Sequence, residues 1–347
     1  MCPNRKPDEL PPRLHSLLLA AIHEFIDTAQ PVGSQQLAIH RSLGIRAAMV
    51  RNLMAELDER GYLSQPHTSA GRVPTERAFR YFVDHLTAPR LRFEDRTQIE
   101  LHYSVPANDS AERIRDTSRL LALMTGHAAV VMAPRLESVQ LKHVHLIALR
   151  EHEVLAIFVA TTGMVQNRLI RTDPVYTQSD LDRMSAYLNQ CLSGRTVEQA
   201  REWIAQQLRQ ERAAYDQFVR EALILGELLA NSPAPAEIYV EGSSKALNQP
   251  EFADPARMRE LLRALDDKTA LLDLLERALR ASELVVSIGS ENFDARLSSL
   301  SVVASPYISG SQSLGSLAVV GPMRMDYERV IPLVSYTASA LSRSLQH

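Results

Sequence analysis

The sequence predicts a multidomain α+β chain: a small helical N-terminal unit ending in a hairpin, then a larger region of mixed strands and helices. Three observations carry this prediction. Apolar residues near the N-terminus recur at three- and four-residue spacing between Gly and Pro breaks. Beyond Pro89, runs rich in Val and Ile flank a long amphipathic block at about 178–230. A length of 347 residues is enough for two or three domains.

Residues 13–29 read as a helix, with Leu14, Leu18, Ala21, Ile22 and Phe25 on one side. Pro31-Val32-Gly33 stops it, because proline lacks a backbone donor and restricts the residue before it. Ser34 suits the N-cap of a short second helix carrying Leu37 and Ala38, and Leu43-Gly44 breaks the chain again. A third helix over 47–60 turns Val50, Leu53, Met54 and Leu57 inward and ends at Gly61. Tyr62 to Thr75 then offers two extended pieces around a polar, glycine-bearing turn. Thr75 caps a fourth helix over 76–86, with Phe79, Phe82, Val83 and Leu86 on one face.

Past Pro89 the pattern predicts a helix over 110–125 and strands at Ala129–Met132, Val139–Leu149 and Val154–Ala160. The block at 178–230 is helical. Residues 231–256 are proline-bearing and irregular, with a short strand at Ile238–Val240. A helix over 257–280, strands at Leu284–Ile288, Ser301–Ala304 and Leu317–Val320, and a last helix over 326–345 complete the chain. Strands, a helical block and strands again predict one α/β sheet domain interrupted by an insertion.

Three short helices and a hairpin are the parts of a winged helix-turn-helix. The second helix of such a pair fits the DNA major groove. Here its outward residues include Arg46, Arg51 and Asn52. Arginine suits bidentate reading of guanine, and asparagine suits adenine. Ser34 and Gln35 open the preceding helix, where free N–H groups can face a phosphate. The hairpin carries His67, Thr68, Ser69 and Arg72, small donors suited to a phosphate backbone or a narrow minor groove.

Charge agrees in direction. The whole chain has a net charge of −3. Residues 1–90 hold 11 Lys+Arg against 9 Asp+Glu, a net of +2, and the remainder 27 against 32. Nucleic-acid contact must therefore come from a local patch. Two cysteines are too few for a disulfide framework or a four-ligand zinc site. No apolar run reaches the length of a membrane span, and the N-terminal segment lacks the apolar run of a secretory leader, so a soluble, cytoplasmic protein is expected.

Other constellations are weak. His143, His145 and His152 lie close together, but no cysteine and no carboxylate beyond Glu151 and Glu153 completes a metal site. Gly310–Ser316 lacks the lysine of a phosphate loop and reads as a turn between strands. No nucleophile elbow or catalytic triad spacing is present. No enzyme activity, metal or cofactor is expected.

Several blocks together resemble the heat-inducible transcription repressor HrcA family. They are Pro31-Val32-Gly33-Ser34, then Val50-Arg51-Asn52-Leu53-Met54 with Leu57 and Gly61-Tyr62-Leu63. Gln65 to Thr75 and Arg80-Tyr81-Phe82-Val83-Asp84 follow. Far along the chain come Gly289-Ser290-Glu291-Asn292, Ser305-Pro306-Tyr307 and Gly321-Pro322-Met323-Arg324-Met325-Asp326-Tyr327. The resemblance implies a winged helix over 1–90, a GAF-like α/β domain over 91–177 and 281–347, and an inserted, mainly helical dimerisation domain over 178–280. It further implies a homodimer on an inverted-repeat operator of the CIRCE type ahead of chaperone operons, assisted by a chaperonin of the GroEL type. This chain departs from the family where Arg46-Ala47-Ala48-Met49 replaces a Ser/Thr-rich entry to the recognition helix. A small-molecule-gated transcription regulator, sensing a ligand in the GAF-like domain, is the competing reading.

Overall fold

The computed structural model describes residues 9–40, 46–66, 71–87, 89–105, 110–135, 139–209, 217–231, 237–292, 294–309 and 312–345. The first four helices are α1 (Pro12–Thr28), α2 (Ser34–His40), α3 (Ala47–Glu59) and α4 (Glu76–Asp84). Between α3 and α4 lie two short antiparallel strands, β1 (Leu63–Ser64) and β2 (Val73–Pro74), with Leu63 opposite Pro74. Leu14, Leu18, Ile22, Leu37, Val50, Met54, Leu57 and Phe82 are buried together and form the core of this head. Each sits at the helical spacing expected of an inward face. Thr75 caps α4 as expected, its hydroxyl oxygen accepting from the Ala78 amide at 3.3 Å.

The body holds two sheets where the sequence predicts one. Its elements run α5 (Phe93–Ser104), α6 (Ser110–Thr125), β3 (Ala128–Met132), β4 (Leu141–Arg150), β5 (Glu153–Ala160) and β6 (Val165–Arg171). Next come α7 (Gln178–Leu192), α8 (Val197–Arg209), α9 (Gln217–Asn231), β7 (Ile238–Glu241), α10 (Ser243–Ala246), α11 (Pro255–Asp266) and α12 (Lys268–Ala281). The last are β8 (Val285–Ile288), β9 (Leu300–Ser309), β10 (Gln312–Pro322) and α13 (Tyr327–Ser344).

Five strands form an antiparallel sheet in the order β7-β3-β10-β9-β8. Ala129 and Val131 of β3 point to one face, joining Ile114, Leu121, Val330 and Val334 of α6 and α13. Ala128, Val130 and Met132 point to the other, against Leu261, Leu271 and Leu275 of α11 and α12. A strand covered on both faces has no polar side, and β3 reads accordingly as an unbroken apolar run.

The other sheet, β4-β5-β6, is separate. Its inner face packs on α7 and α9, and α7 covers the β4 edge with side chains. Asn189 Oδ1 accepts from the Val144 amide at 2.6 Å, Ser185 Oγ from Leu146 at 3.1 Å and Gln178 Oε1 from Ala148 at 2.9 Å. Those contacts satisfy amides that an edge strand leaves unpaired. The expected divisions at 178 and 280 therefore fall inside packed groups. Strands β4–β6 belong with α7–α9, while β7, α11 and α12 return to the five-stranded sheet. Alternation along a strand shows which face is buried but does not name the partner.

Neither β6 nor α5 is legible in the sequence, nor is the single turn of α10 in a stretch expected to be irregular. β6 turns Gln166 and Arg168 inward, so its apolar alternation is disguised. Arg168 lies over the Phe158 ring at 5.3 Å and donates to the Leu229 carbonyl at 2.8 Å. α5 buries little besides Ile99 and Asp95, and the Asp95 carboxylate is held by Arg329 at 3.0 Å. The expected turn at Gly310–Ser316 is shorter than predicted, because Gln312 already begins β10. Gly315 lies at a register shift where an added Cβ would come 2.4 Å from the Tyr307 hydroxyl.

Candidate nucleic-acid interface

α3 begins at Arg46, whose extended backbone (φ −71°, ψ 147°) serves as N-cap without any side-chain cap. With no side-chain acceptor at the cap, the Met49 amide donates to the Arg46 carbonyl at 2.9 Å. Val50, Met54 and Leu57 anchor the inner side, and Arg46, Ala48, Met49, Arg51 and Asn52 are exposed. At about 100° per residue, Asn52 falls near the middle of the outward face, with Arg51 toward one edge and Met49 toward the other. Among the described residues Arg51 makes no ion pair, and its neighbour Glu56 is taken by Arg60 at 2.7 Å. Arg51 and Asn52 therefore lie on the open side of α3, while Arg46 is exposed at its N-terminal end, one turn before Val50.

Ser34 is half-buried and Gln35 exposed at the start of α2. The following residue, Gln36, donates to Glu24 at 2.7 Å and ties α2 to α1. His67, Thr68 and Ser69, the remaining residues expected at the hairpin tip, lie outside the described residues.

Arg72 is placed differently from Arg51. Its backbone N–H donates to Val32 O at 2.9 Å and its carbonyl accepts from the Val32 amide at 2.8 Å, a two-way bridge to the α1–α2 turn. Its Nε donates to Asp58 Oδ2 at 3.0 Å. Only 19% of the side chain is exposed. The preceding Gly71 comes so close to the same turn that a Cβ would lie 2.5 Å from Val32 O. Pro31-Val32-Gly33 and Gly71-Arg72 are thus two sides of one joint.

The blocks left without a role by the sequence also meet, at the seam between head and body. Ser290 donates to the Glu76 carboxylate from its amide at 3.1 Å and from its hydroxyl at 2.6 Å. Arg80 Nε donates to Glu291 at 2.7 Å, and its Nη2 to the Val286 carbonyl at 2.7 Å. Burial works against the Arg80 charge, but Glu291 and Asp84 outweigh it and raise its pKa. Arg324 reaches across to the Ile26 carbonyl at 2.7 Å while ion-paired to Glu251. Phe79 and Phe82 rest against the buried Tyr327 ring, at 6.2 and 6.5 Å between centroids. Sequence signals did exist in the motif blocks themselves, but partners more than two hundred residues apart cannot be paired from one chain.

His143 and His145 share the outer face of β4 with ring centroids 6.3 Å apart. His152 sits in the β4–β5 turn at φ +63°, its ring nitrogen 3.0 Å from the Thr172 carbonyl oxygen. Among the described residues no group of three His, Cys, Asp or Glu side chains is arranged to hold a metal ion. No helix among them is long and apolar enough to cross a membrane.

Fold and surface together define a mixed α+β protein of several packed units whose small N-terminal head presents an open Arg/Asn helix face. Residues 111–331 match the family model described as the HrcA protein C-terminal domain. A protein named heat-inducible transcription repressor HrcA from Geobacter sulfurreducens is 42% identical over 95% of this chain and 96% of its own length. Its namesake from Sorangium cellulosum is 39% identical over 96% and 97%. A crystal structure described only as that of a hypothetical protein aligns with a TM-score of 0.66 at 22% identity, over 97% of this chain and 99% of that one. That likeness concerns the fold alone. The chain belongs to the HrcA family, and the resemblance read from its motifs is borne out.

Proposed function

We propose that this chain is a transcription repressor that binds duplex DNA through α3 and the adjoining hairpin. In this reading Arg51 and Asn52 read base edges and Arg46 meets a phosphate beside them. Ser34, Gln35 and the hairpin tip at His67, Thr68 and Ser69 contact the backbone. Arg72 acts mainly by holding the hairpin against α3. One observation carries the proposal: Arg51 and Asn52 stand exposed on a helix whose opposite side is anchored in the head core, with Arg46 exposed at its N-cap.

The same reading takes the target to be an inverted repeat of the CIRCE type ahead of chaperone genes, with a chaperonin maintaining the binding-competent form. An inverted repeat calls for two heads related by two-fold symmetry, with half-sites about 34–36 Å apart or a multiple of that. The outer face of β4-β5-β6 suits a second copy of the chain. Ile147, Leu149, Val165 and Leu169 are 37–62% exposed there. In the strand register Leu155 lies between Ile147 and Leu169, so the patch is continuous across three strands.

Gel shifts of the full chain test this at two salt concentrations, with and without chaperonin, on an inverted-repeat duplex and a scrambled one. Binding that prefers the repeat, weakens with salt and strengthens with chaperonin supports the reading. Equal binding to both duplexes overturns it.

A further inference from the structure

The head does not hang from the body on a loose linker. Beside the packing of Phe79 and Phe82 on Tyr327, three hydrogen-bonded contacts hold it, and they act on α1 and α4, the two helices on which α3 and the hairpin are built. At the first, Glu76 at the start of α4 receives two hydrogen bonds from Ser290. Gly289, at φ +55°, lies so near that an added Cβ would stand 2.3 Å from Glu76 Cδ. At the second, one turn further along α4, Arg80 grips Glu291 and the Val286 carbonyl, and Glu291 Oε2 also accepts from the Ile288 amide at 3.0 Å. At the third, Arg324 holds the C-terminal end of α1 through Ile26 O, and its own position is fixed by Glu251 and Gln249. Contacts made on two different helices, α1 and α4, restrain the rotation of the head against the body.

We propose that Glu76, Arg80, Ser290, Glu291 and Arg324 are positioning residues for DNA recognition, setting the angle at which α3 leaves the body and hence the separation of two recognition helices in a dimer. This rests on the dimeric, DNA-binding reading above. A head on a flexible tether samples many positions and tolerates many half-site spacings, while a clamped head accepts one. The clamp therefore converts dimer geometry into operator spacing. None of its residues needs to touch DNA.

The test uses the full chain and duplexes built from the sequence it selects out of a random pool. One duplex carries a single half-site, one the selected repeat, and one the repeat with about five base pairs inserted at its centre, which turns one half-site to the opposite face. The wild-type chain is expected to lose roughly 100-fold in affinity on insertion, and Arg80→Ala less than roughly tenfold, with half-site affinity within about twofold of wild type. Glu76→Gln, which keeps the side-chain volume, should fall between them and guards against misfolding of the first variant. An insertion penalty unchanged in both variants overturns the positioning role. So does a half-site affinity that falls as far as that for the repeat, since the contacts would then serve the head's own fold. A wild-type chain that binds neither half-site nor repeat defeats the DNA reading itself, a result distinct from either.

Discussion

Arg72 Nε and Asp58 Oδ2 lie 3.0 Å apart, joining the base of the hairpin to the last turn of α3. An arginine whose charge is already met by a carboxylate is a weak phosphate ligand. Arg72→Ala is therefore expected to leave the salt dependence of DNA binding nearly unchanged. Loss of a free phosphate contact would instead lower the slope of log K against log salt by about 0.9. The pair is partly exposed, so a double-mutant cycle with Asp58→Ala in urea should give a coupling of roughly 0.5–1 kcal/mol. A slope lowered by the full amount would return Arg72 to the phosphate contacts.

Arg51 has the opposite surroundings, open and without an ion pair among the described residues. Arg51→Ala is expected to cost about 1–3 kcal/mol on the selected operator and far less on random duplex. Competition gel shifts measure both. Equal losses on the two would assign Arg51 to the phosphate backbone.

The close approach at Gly71 makes a second structural prediction. A methyl there would stand 2.5 Å from Val32 O and 2.9 Å from the Pro31 carbonyl carbon. Gly71→Ala should destabilise the head by about 1–3 kcal/mol through overpacking. Gly33, the residue after Val32, has nothing within 4 Å of its added Cβ and no positive φ. Gly33→Ala should lie within about 0.5 kcal/mol of wild type. Urea midpoints distinguish the two, and matched losses would sink the steric account.

Acid stability is expected to depend on His127. The side chain is buried beside Gly321, and its Nδ1 finds no hydrogen-bond partner among the described residues. Burial first, and the Arg324 charge second, push its pKa from 6.5 down to about 4. The folded protein thus favours neutral imidazole, and the unfolded chain takes up the proton first as pH falls. Stability from this group is intact above about pH 6.5 and is lost between there and about pH 4, up to roughly 3 kcal/mol. His15 and His102 are also lowered, chiefly by burial, and act in the same direction. His127→Leu should flatten the decline between pH 7 and 4.5 in urea titrations. A decline as steep as wild type would place the acid sensitivity elsewhere.

The outer face of β4-β5-β6 carries the prediction for assembly. Leu149 and Leu169 are 51% and 55% exposed on that face. On the two-fold assembly proposed above, Leu149→Glu together with Leu169→Glu should shift the chain from dimer to monomer in sedimentation equilibrium, since a charge in an apolar interface remains unpaired. A variant that sediments as the wild type places the subunit contact on another surface.

Much of the head was legible because its signals are local. Thr75 as a cap, the Pro31–Gly33 break and the Val50–Met54–Leu57 stripe each depend on neighbours within a turn or two. The exposed Arg51 and Asn52 follow from that stripe by helical geometry, and Arg46 is exposed because it caps the helix end. Arg72 was legible as a residue of the hairpin but not as the partner of Asp58, fourteen positions earlier. β6 was missed because Arg168 occupies an inward position, stabilised by an aromatic ring and a distant carbonyl.

In the head, periodicity determined which residues face inward, where the helices start and stop, and which surface of α3 stays open, because those depend on bonds and contacts between near neighbours; further on, the single helix expected over 257–280 breaks at Asp267 into α11 and α12. Tertiary structure alone decided that β4–β6 leave the large sheet, that Arg72 turns to a carboxylate, and that Glu76 and Arg80 meet Ser290 and Glu291. Each of those outcomes pairs groups far apart along the backbone. A hydrogen-bond donor or an apolar face has many chemically equivalent partners in a chain of this length, and only the packed core selects among them.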